Sequence, residues 1–298
     1  MTPNNNYRQN PQRQQQRPQQ RPPQRPQQRP PQRRRRRKKA SFARVIITIV
    51  VVAVIAAVLI VAGIYFAGVR YMRVNVTDSL YVKFLGQVDD NGQPYKGRII
   101  YSDGISAEVN LDRDEISYSN GDVYCGPLDN LLKNGEGEMR YANGDTYKGQ
   151  FKNDLIDGYG TYTYVGGDSY VGEFTAGLKN GDGTYTFSDG SVYIGSFKND
   201  KKDGSGEYKY ASGDTYIGGY SEDMKNGSGV YTWANGDVYE GDFVNDMRDG
   251  YGTYTWANGE KYEGQFASNV MSGKGVYTWP GGRTYEGYFE NGVIVRAE

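Results

Sequence analysis

The sequence contains no histidine and a single cysteine, Cys125. Without histidine there is no Ser-His or Cys-His pair to activate a nucleophile. One thiol cannot close an intramolecular disulfide, and the chain offers no cysteine cluster or His-carboxylate set for zinc. Cys125 reads as a spare thiol at a tolerant position, with intermolecular pairing as the alternative. No Gly-x-x-x-x-Gly-Lys-Ser/Thr stretch occurs, so the glycines here do not form a P-loop. Tryptophan is scarce and late: Trp233, Trp256 and Trp279 are the only three. Proline is scarce beyond residue 31, where only three of the eleven lie. The first 44 residues carry no acid at all. Carboxylates abound elsewhere, but they recur at regular positions, which suits a surface row better than a catalytic pair. The expectation is a protein that is not an enzyme and holds no cofactor or metal.

Glycine and tyrosine are plentiful instead, at 41 and 28 residues. They are also periodic. Tyr-x-Gly begins at Tyr124, Tyr147, Tyr170, Tyr193, Tyr216, Tyr239, Tyr262 and Tyr285, each 23 residues after the last. The glycines closing seven of these triplets are Gly149, Gly172, Gly195, Gly218, Gly241, Gly264 and Gly287. A Gly-x-Gly pair and a turn pair such as Asn235-Gly236 or Asn258-Gly259 keep the same step. A fixed period of this size is the signature of a repeat array.

Charge divides the chain. Residues 1–44 hold 14 Lys/Arg, whereas residues 74–298 hold 19 bases and all 35 acids, a net of −16. The first segment, rich in Pro, Gln and Arg, has too few apolar side chains to offset the entropy of ordering, and is expected to be disordered with polyproline II character. Its basic cluster Arg33, Arg34, Arg35, Arg36, Arg37, Lys38 and Lys39 suits anionic lipid beside a membrane. Nothing in it could read a base edge, so nucleic acid is not expected. Val45 to Val69 follow without a charge. As a helix this run would be about 37 Å long, enough to cross a hydrocarbon core of about 30 Å. The basic flank predicts an N-terminus in the cytoplasm and a C-terminus outside the cell membrane, a single-pass signal-anchor arrangement. Residues 70–118 are strand-like but out of step, and read as a stalk and a divergent N-terminal cap. The array proper is expected over 119–298, in about eight units.

One unit can be followed from Gly252 to Phe266. Thr253, Tyr254, Thr255 and Trp256 alternate, so Tyr254 and Trp256 share a face. Asn258-Gly259 between two alternating runs predicts a hairpin, with both turn residues at positive φ in type I′ geometry. Tyr262, Gly264 and Phe266 then share a face on the return strand. An intra-strand glycine marks a close approach, here expected to be an aromatic ring from a paired strand. The expected fold class is all-β: an elongated, single-layer antiparallel β-meander of stacked hairpins, plus one transmembrane α-helix. Two strands per unit at about 4.8 Å spacing give about 10 Å of rise per repeat.

The stretch "YEGDFVNDMRDGYGTYTWANGE", Tyr239 to Glu260, resembles the MORN repeat (membrane occupation and recognition nexus) nearly position for position. The resemblance covers about Gly121 to Gly292. Cys125 and Pro127, Met139, and Gly219 with Tyr220 depart from the pattern and weaken individual hairpins. The resemblance implies a twisted β-meander acting as a scaffold, a self-associating rod or a lipid-apposed surface, with no catalysis of its own. Lipid recognition by the array fits poorly, since a body of net −16 is repelled by anionic headgroups. The partner is expected to be an unidentified protein or cell-envelope component. The alternative is an envelope glycan or other ligand gripped by Trp233, Tyr254, Trp256, Tyr277 and Trp279. The packing reading of these rings stands beside it. The acidic row Asp122, Asp145, Asp168, Asp214, Asp237 and Glu260 follows the turns. It reads as turn satisfaction and solubility, because acids about 10 Å apart cannot share a calcium ion.

Overall fold

The computed structural model describes residues 35–77, 79–112 and 115–297. Arg33, Arg34 and the expected disordered stretch up to residue 34 lie outside them. The chain divides into two units, 1–60 and 61–298.

Among the described residues one α-helix occurs, from Arg35 to Phe66. Within it, Arg44–Phe66 has a mean hydropathy of 3.5, no buried residue, and length enough to cross a membrane. The expected boundaries at 45 and 69 shift. The helix starts ten residues early, so the backbone of Arg35 to Lys39 is helical rather than part of a disordered tail. Arg, Lys and Ala are good helix formers, and propagation from an established helix costs far less than nucleation. The helix ends early because Gly68 takes φ 76°, and Val69 already opens a strand.

The remaining described elements are strands, nearly all in one antiparallel sheet of 21. From Val69–Asn75 to Val293–Ala297, each strand pairs with its neighbours in the chain. One detour breaks the pattern: Val123–Cys125 pairs with Gly135–Arg140, and the intervening Leu128–Asp129 and Leu132–Lys133 form a small ladder of their own. This is the unit containing Cys125 and Pro127, where proline has no N–H to donate to a ladder. Residues 70–118, expected to be strand-like, are sheet: Val69–Asn75, Tyr81–Val88, Pro94–Tyr101, Ser106–Asn110 and Glu115–Tyr118 are consecutive strands of the meander. Phe84, Ile99, Val109 and Ile116 bury there in place of tyrosines.

The type I′ geometry expected at Asn258-Gly259 is not found there. At Trp256-Ala257-Asn258-Gly259 the Gly259 N–H donates to Trp256 O and the Trp256 N–H to Glu260 O, both at 2.9 Å. Only Gly259 has positive φ, at 89°. This is a type I turn followed by a left-handed glycine, the three-residue hairpin with a G1 bulge. The type I′ turns lie at the opposite ends of the strands, at Asn153-Asp154, Asn199-Asp200, Glu222-Asp223, Asn245-Asp246 and Ser268-Asn269, all at positive φ. Ala267 pairs with Val270 directly across the last of them. Beyond each I′ turn the register slips, as between Gly264 and Phe266. The resulting bulge frees one carbonyl per repeat.

That carbonyl is used by the core. Tyr262 lies down along its own strand, and its hydroxyl donates to Gln265 O at 2.9 Å. A Cβ placed on Gly264 or on its cross-strand partner Gly275 would meet that hydroxyl at 2.5 Å. The ring over Gly264 therefore comes from the same strand, two residues back; it reaches the paired strand only at Gly275. Glycines pair with glycines in an unbroken row from Gly137 through Gly149, Gly172, Gly195, Gly218, Gly241 and Gly264 to Gly287. Tyr147, Tyr170, Tyr193, Tyr216, Tyr239 and Tyr262 are consequently at 0% exposure, although the described strands form a single layer. Each is closed in by ring edges from its own repeat and the next, phenylalanine except where Tyr220 stands: Tyr239 meets Phe243 at 5.2 Å and Phe266 at 5.0 Å, both near perpendicular. Tyr285 is half-buried and breaks the set.

A candidate ligand-binding face

A second aromatic row runs beside the first on the same face, since Tyr254 pairs across strands with Tyr262. It links Tyr141, Tyr162, Tyr164, Tyr185, Phe187, Tyr208, Tyr210 and Tyr231 at centroid separations of 4.2–6.0 Å. It continues through Trp233, Tyr254, Trp256, Tyr277 and Trp279 at 4.5–5.5 Å. All five rings proposed from sequence for ligand binding thus meet in one continuous row of tilted rings. They form the end of a longer row rather than a separate stripe, and all five are half-buried. They pack and also present surface, because a single-layer sheet covers each ring from one side only.

The acidic row ties consecutive repeats together. Asp237 accepts the Ala257 N–H at 2.9 Å and the Tyr254 hydroxyl at 2.8 Å. Asp145, Asp168 and Asp214 do the same with Val165 and Tyr162, Ser188 and Tyr185, Ala234 and Tyr231. These donors hold all four carboxyls below the ordinary carboxylate range, against the opposing effect of burial. Asp122 receives the Ala142 N–H but no tyrosine, since Met139 stands where the tyrosine would be. Ser191 replaces the acid in one repeat and accepts the Ala211 N–H at 3.0 Å.

Sequence reasoning missed a row of cations. Lys133, Lys179, Lys202, Lys225 and Arg248 are spaced at multiples of 23 and sit among the rings. Lys225 Nζ lies 5.4–6.0 Å from the centroids of Tyr210, Tyr216 and Tyr231. The side chains of Lys133, Lys179 and Lys225 are only 12%, 13% and 16% exposed. Their ammonium groups reach Asp154, Asp200 and Asp246 at 3.4, 3.8 and 3.6 Å. The same aspartates accept the backbone N–H of the lysine 21 residues earlier, at 2.8–2.9 Å. Lys202 and Asp223 repeat the backbone bond at 2.9 Å. Burial pushes the Lys202 ammonium pKa down, while Asp223 pulls it back. The pairing is written in the sequence. A cation at one position goes with Asp or Asn 21 residues on, whereas Ile156 and Met271 go with Gly177 and Gly292. Those glycines bond only by their N–H groups, to Ile156 O and Met271 O.

At the tryptophan end the face opens into a cleft of about 260 Å³, lined by Arg248, Tyr254, Trp256, Phe266, Asn269 and Met271. No group of three His, Cys, Asp or Glu that could hold a metal occurs among the described residues.

Fold and periodicity together define a single-layer β-repeat array whose units are bound by shared rings and carboxylates. The MORN repeat profile matches residues 132–146, 147–169, 170–192, 193–215, 216–238, 239–261 and 262–282. The chain belongs to the MORN repeat family. No curated protein matches it. Among solved structures, the TCP domain of SAS-4 from Drosophila melanogaster, determined with a proline-rich motif of Ana2, is 17% identical. That alignment covers 69% of this chain and 97% of the other, with a TM-score of 0.30. An inactive virginiamycin B lyase from Staphylococcus aureus, determined with quinupristin, is 12% identical over 74% and 88% of the two chains, with a TM-score of 0.16. Neither similarity is close enough to bear on function.

Proposed function

We propose that the protein is a non-catalytic binding scaffold, anchored in the cell membrane by its apolar helix and displaying the repeat array outside the cell. The observation that carries this reading is the sheet itself: matched repeats follow one another without an inserted domain, and one aromatic face continues across them. Supporting the anchor are the uncharged 23-residue span Arg44–Phe66, apart from its first residue, and the basic run before it. Lys/Arg bias of this kind retains the N-terminal flank in the cytoplasm. The basic segment meets anionic lipid there, and the array meets a protein or envelope partner. Protease shaving of intact cells tests the reading: loss of the repeats with survival of a membrane-bound N-terminal fragment is expected. Complete protection of the repeats, together with their cleavage after permeabilisation, would sink it.

A second reading, ligand binding by the C-terminal aromatics, is favoured by the cleft at Arg248 and Trp256. Change of tryptophan fluorescence on titration with soluble envelope saccharides is its direct readout.

A further inference from the structure

Arg248 is the exception in the row of cations. Lys133, Lys179, Lys202 and Lys225 each face an aspartate from the next turn, but Arg248 faces Asn269. The amide keeps the structural bond, accepting the Arg248 N–H at 2.9 Å. It does not supply the charge. The guanidinium donates from Nη2 to Asn269 O at 2.8 Å and otherwise lies against Trp233, Tyr239, Tyr254 and Phe266, 5.3–5.6 Å from their centroids. Among the described residues no carboxylate comes within ion-pair distance of it, unlike Lys133, Lys179 and Lys225. Burial strips solvent from this cation without a counter-charge in exchange. The next repeat lacks both members of the pairing, through Met271 and Gly292, and this leaves the cleft open beside the guanidinium.

We propose that this cleft binds a carboxylate-bearing sugar unit, its acid group taking the place of the missing aspartate beside Arg248 and its ring lying on Trp256. The inference rests on the ligand-binding reading above and names the ligand class. A half-buried guanidinium without a carboxylate partner matches a carboxylate in geometry and charge. Indole and phenol faces at Trp256 and Tyr254 match the C–H face of a pyranose. A peptide carboxylate fits less well, because a peptide backbone offers no apolar ring face to lie on the indole of Trp256. The polar side-chain groups in the lining belong to Arg248, Asn269, Tyr254 and Trp256, and the Tyr254 hydroxyl already donates to Asp237.

The test uses the full chain in detergent micelles, titrated with trigalacturonate, its methyl ester and triglycine while tryptophan fluorescence is followed. The acid should bind, and the ester should bind roughly tenfold or more weakly, the loss of one charge-assisted contact. Asn269→Asp restores the internal counter-charge. It should cause the same loss for the acid with no fall in Tm, which separates a binding defect from unfolding. Arg248→Gln should match it, and Trp256→Leu should weaken acid and ester alike. Equal binding of acid and ester by the unaltered protein, insensitive to Asn269→Asp, would overturn the carboxylate inference and leave the ligand-binding reading standing. Failure of every saccharide to bind would overturn both. Triglycine binding that Asn269→Asp abolishes would overturn the sugar assignment in favour of a peptide.

Discussion

At the scale of single residues, stability depends on a hydroxyl and the glycines beneath it. Gly264→Ala forces a methyl group against the Tyr262 hydroxyl and the Gly275 backbone. Overpacking of this kind is expected to cost about 3 kcal/mol, read as a fall in the denaturant midpoint. Tyr220 makes the opposite case. It occupies the phenylalanine position of its repeat, and its buried hydroxyl has no hydrogen-bond partner. Tyr220→Phe removes that liability and should raise stability by about 1 kcal/mol. Titration follows from the same contacts. Asp145, Asp168, Asp214 and Asp237 have folded pKa values below the ordinary carboxylate value. Their stabilisation is present above that value and is lost as pH falls through the folded ones, so unfolding should set in on the acid side of pH 4. Burial pushes the Tyr216, Tyr239 and Tyr262 phenols up to about 12. Their contribution is complete below the ordinary phenol value and is lost as pH rises towards 12. Loss of sheet signal should therefore accompany the ionisation of these buried phenols, well above pH 10.

At the scale of the hairpin, the periodic turns were legible but their geometry was not. Asn258-Gly259 and Asn245-Asp246 both announce a reversal. Sequence cannot tell that the first is a three-residue loop and the second a two-residue one, because that choice depends on which residues pair across the strands. The pairing of Lys225 with Asp246 was legible in principle, as a correlation at 21 residues within the chain. It was overlooked because it links adjacent repeats rather than equivalent positions. Transplanting it is the sharpest check. Ile156→Lys alone places an ammonium among Tyr141, Tyr147 and Tyr162 without a counter-charge, and should be destabilising. Adding Gly177→Asp should recover stability, with a coupling energy on the order of 1 kcal/mol in a double-mutant cycle. Additive behaviour of the two changes would show that the pairing carries no energy.

At the scale of the whole molecule, each repeat contacts only its neighbours, so stability is a sum of unit and interface terms. Hydrogen exchange is expected to be slowest in the central strands, between about residues 169 and 255, and faster towards the detour at Leu128–Leu132. In that detour the ladders are two residues long. Substituting a central glycine such as Gly206 should split the exchange profile into two independently opening halves. A uniform rise in exchange across all repeats would instead mean that the sheet unfolds as one cooperative block. The out-of-step strands from Val69 to Tyr118 belong to the same meander, although they lack the Tyr-x-Gly marker. Apolar residues such as Phe84 and Ile99 fill the same buried row, and a buried position demands volume rather than one particular side chain.

The amino-acid order alone determined the apolar helix, the 23-residue unit and the aromatic face of each hairpin. All three follow from local spacing: 25 uncharged residues, a fixed glycine step and strict alternation. Tertiary structure alone decided which ring covers which glycine, which turn takes positive φ at both residues, and which cation is left facing an amide instead of an acid. Those outcomes depend on strand register, and register is set by contacts between repeats rather than within them.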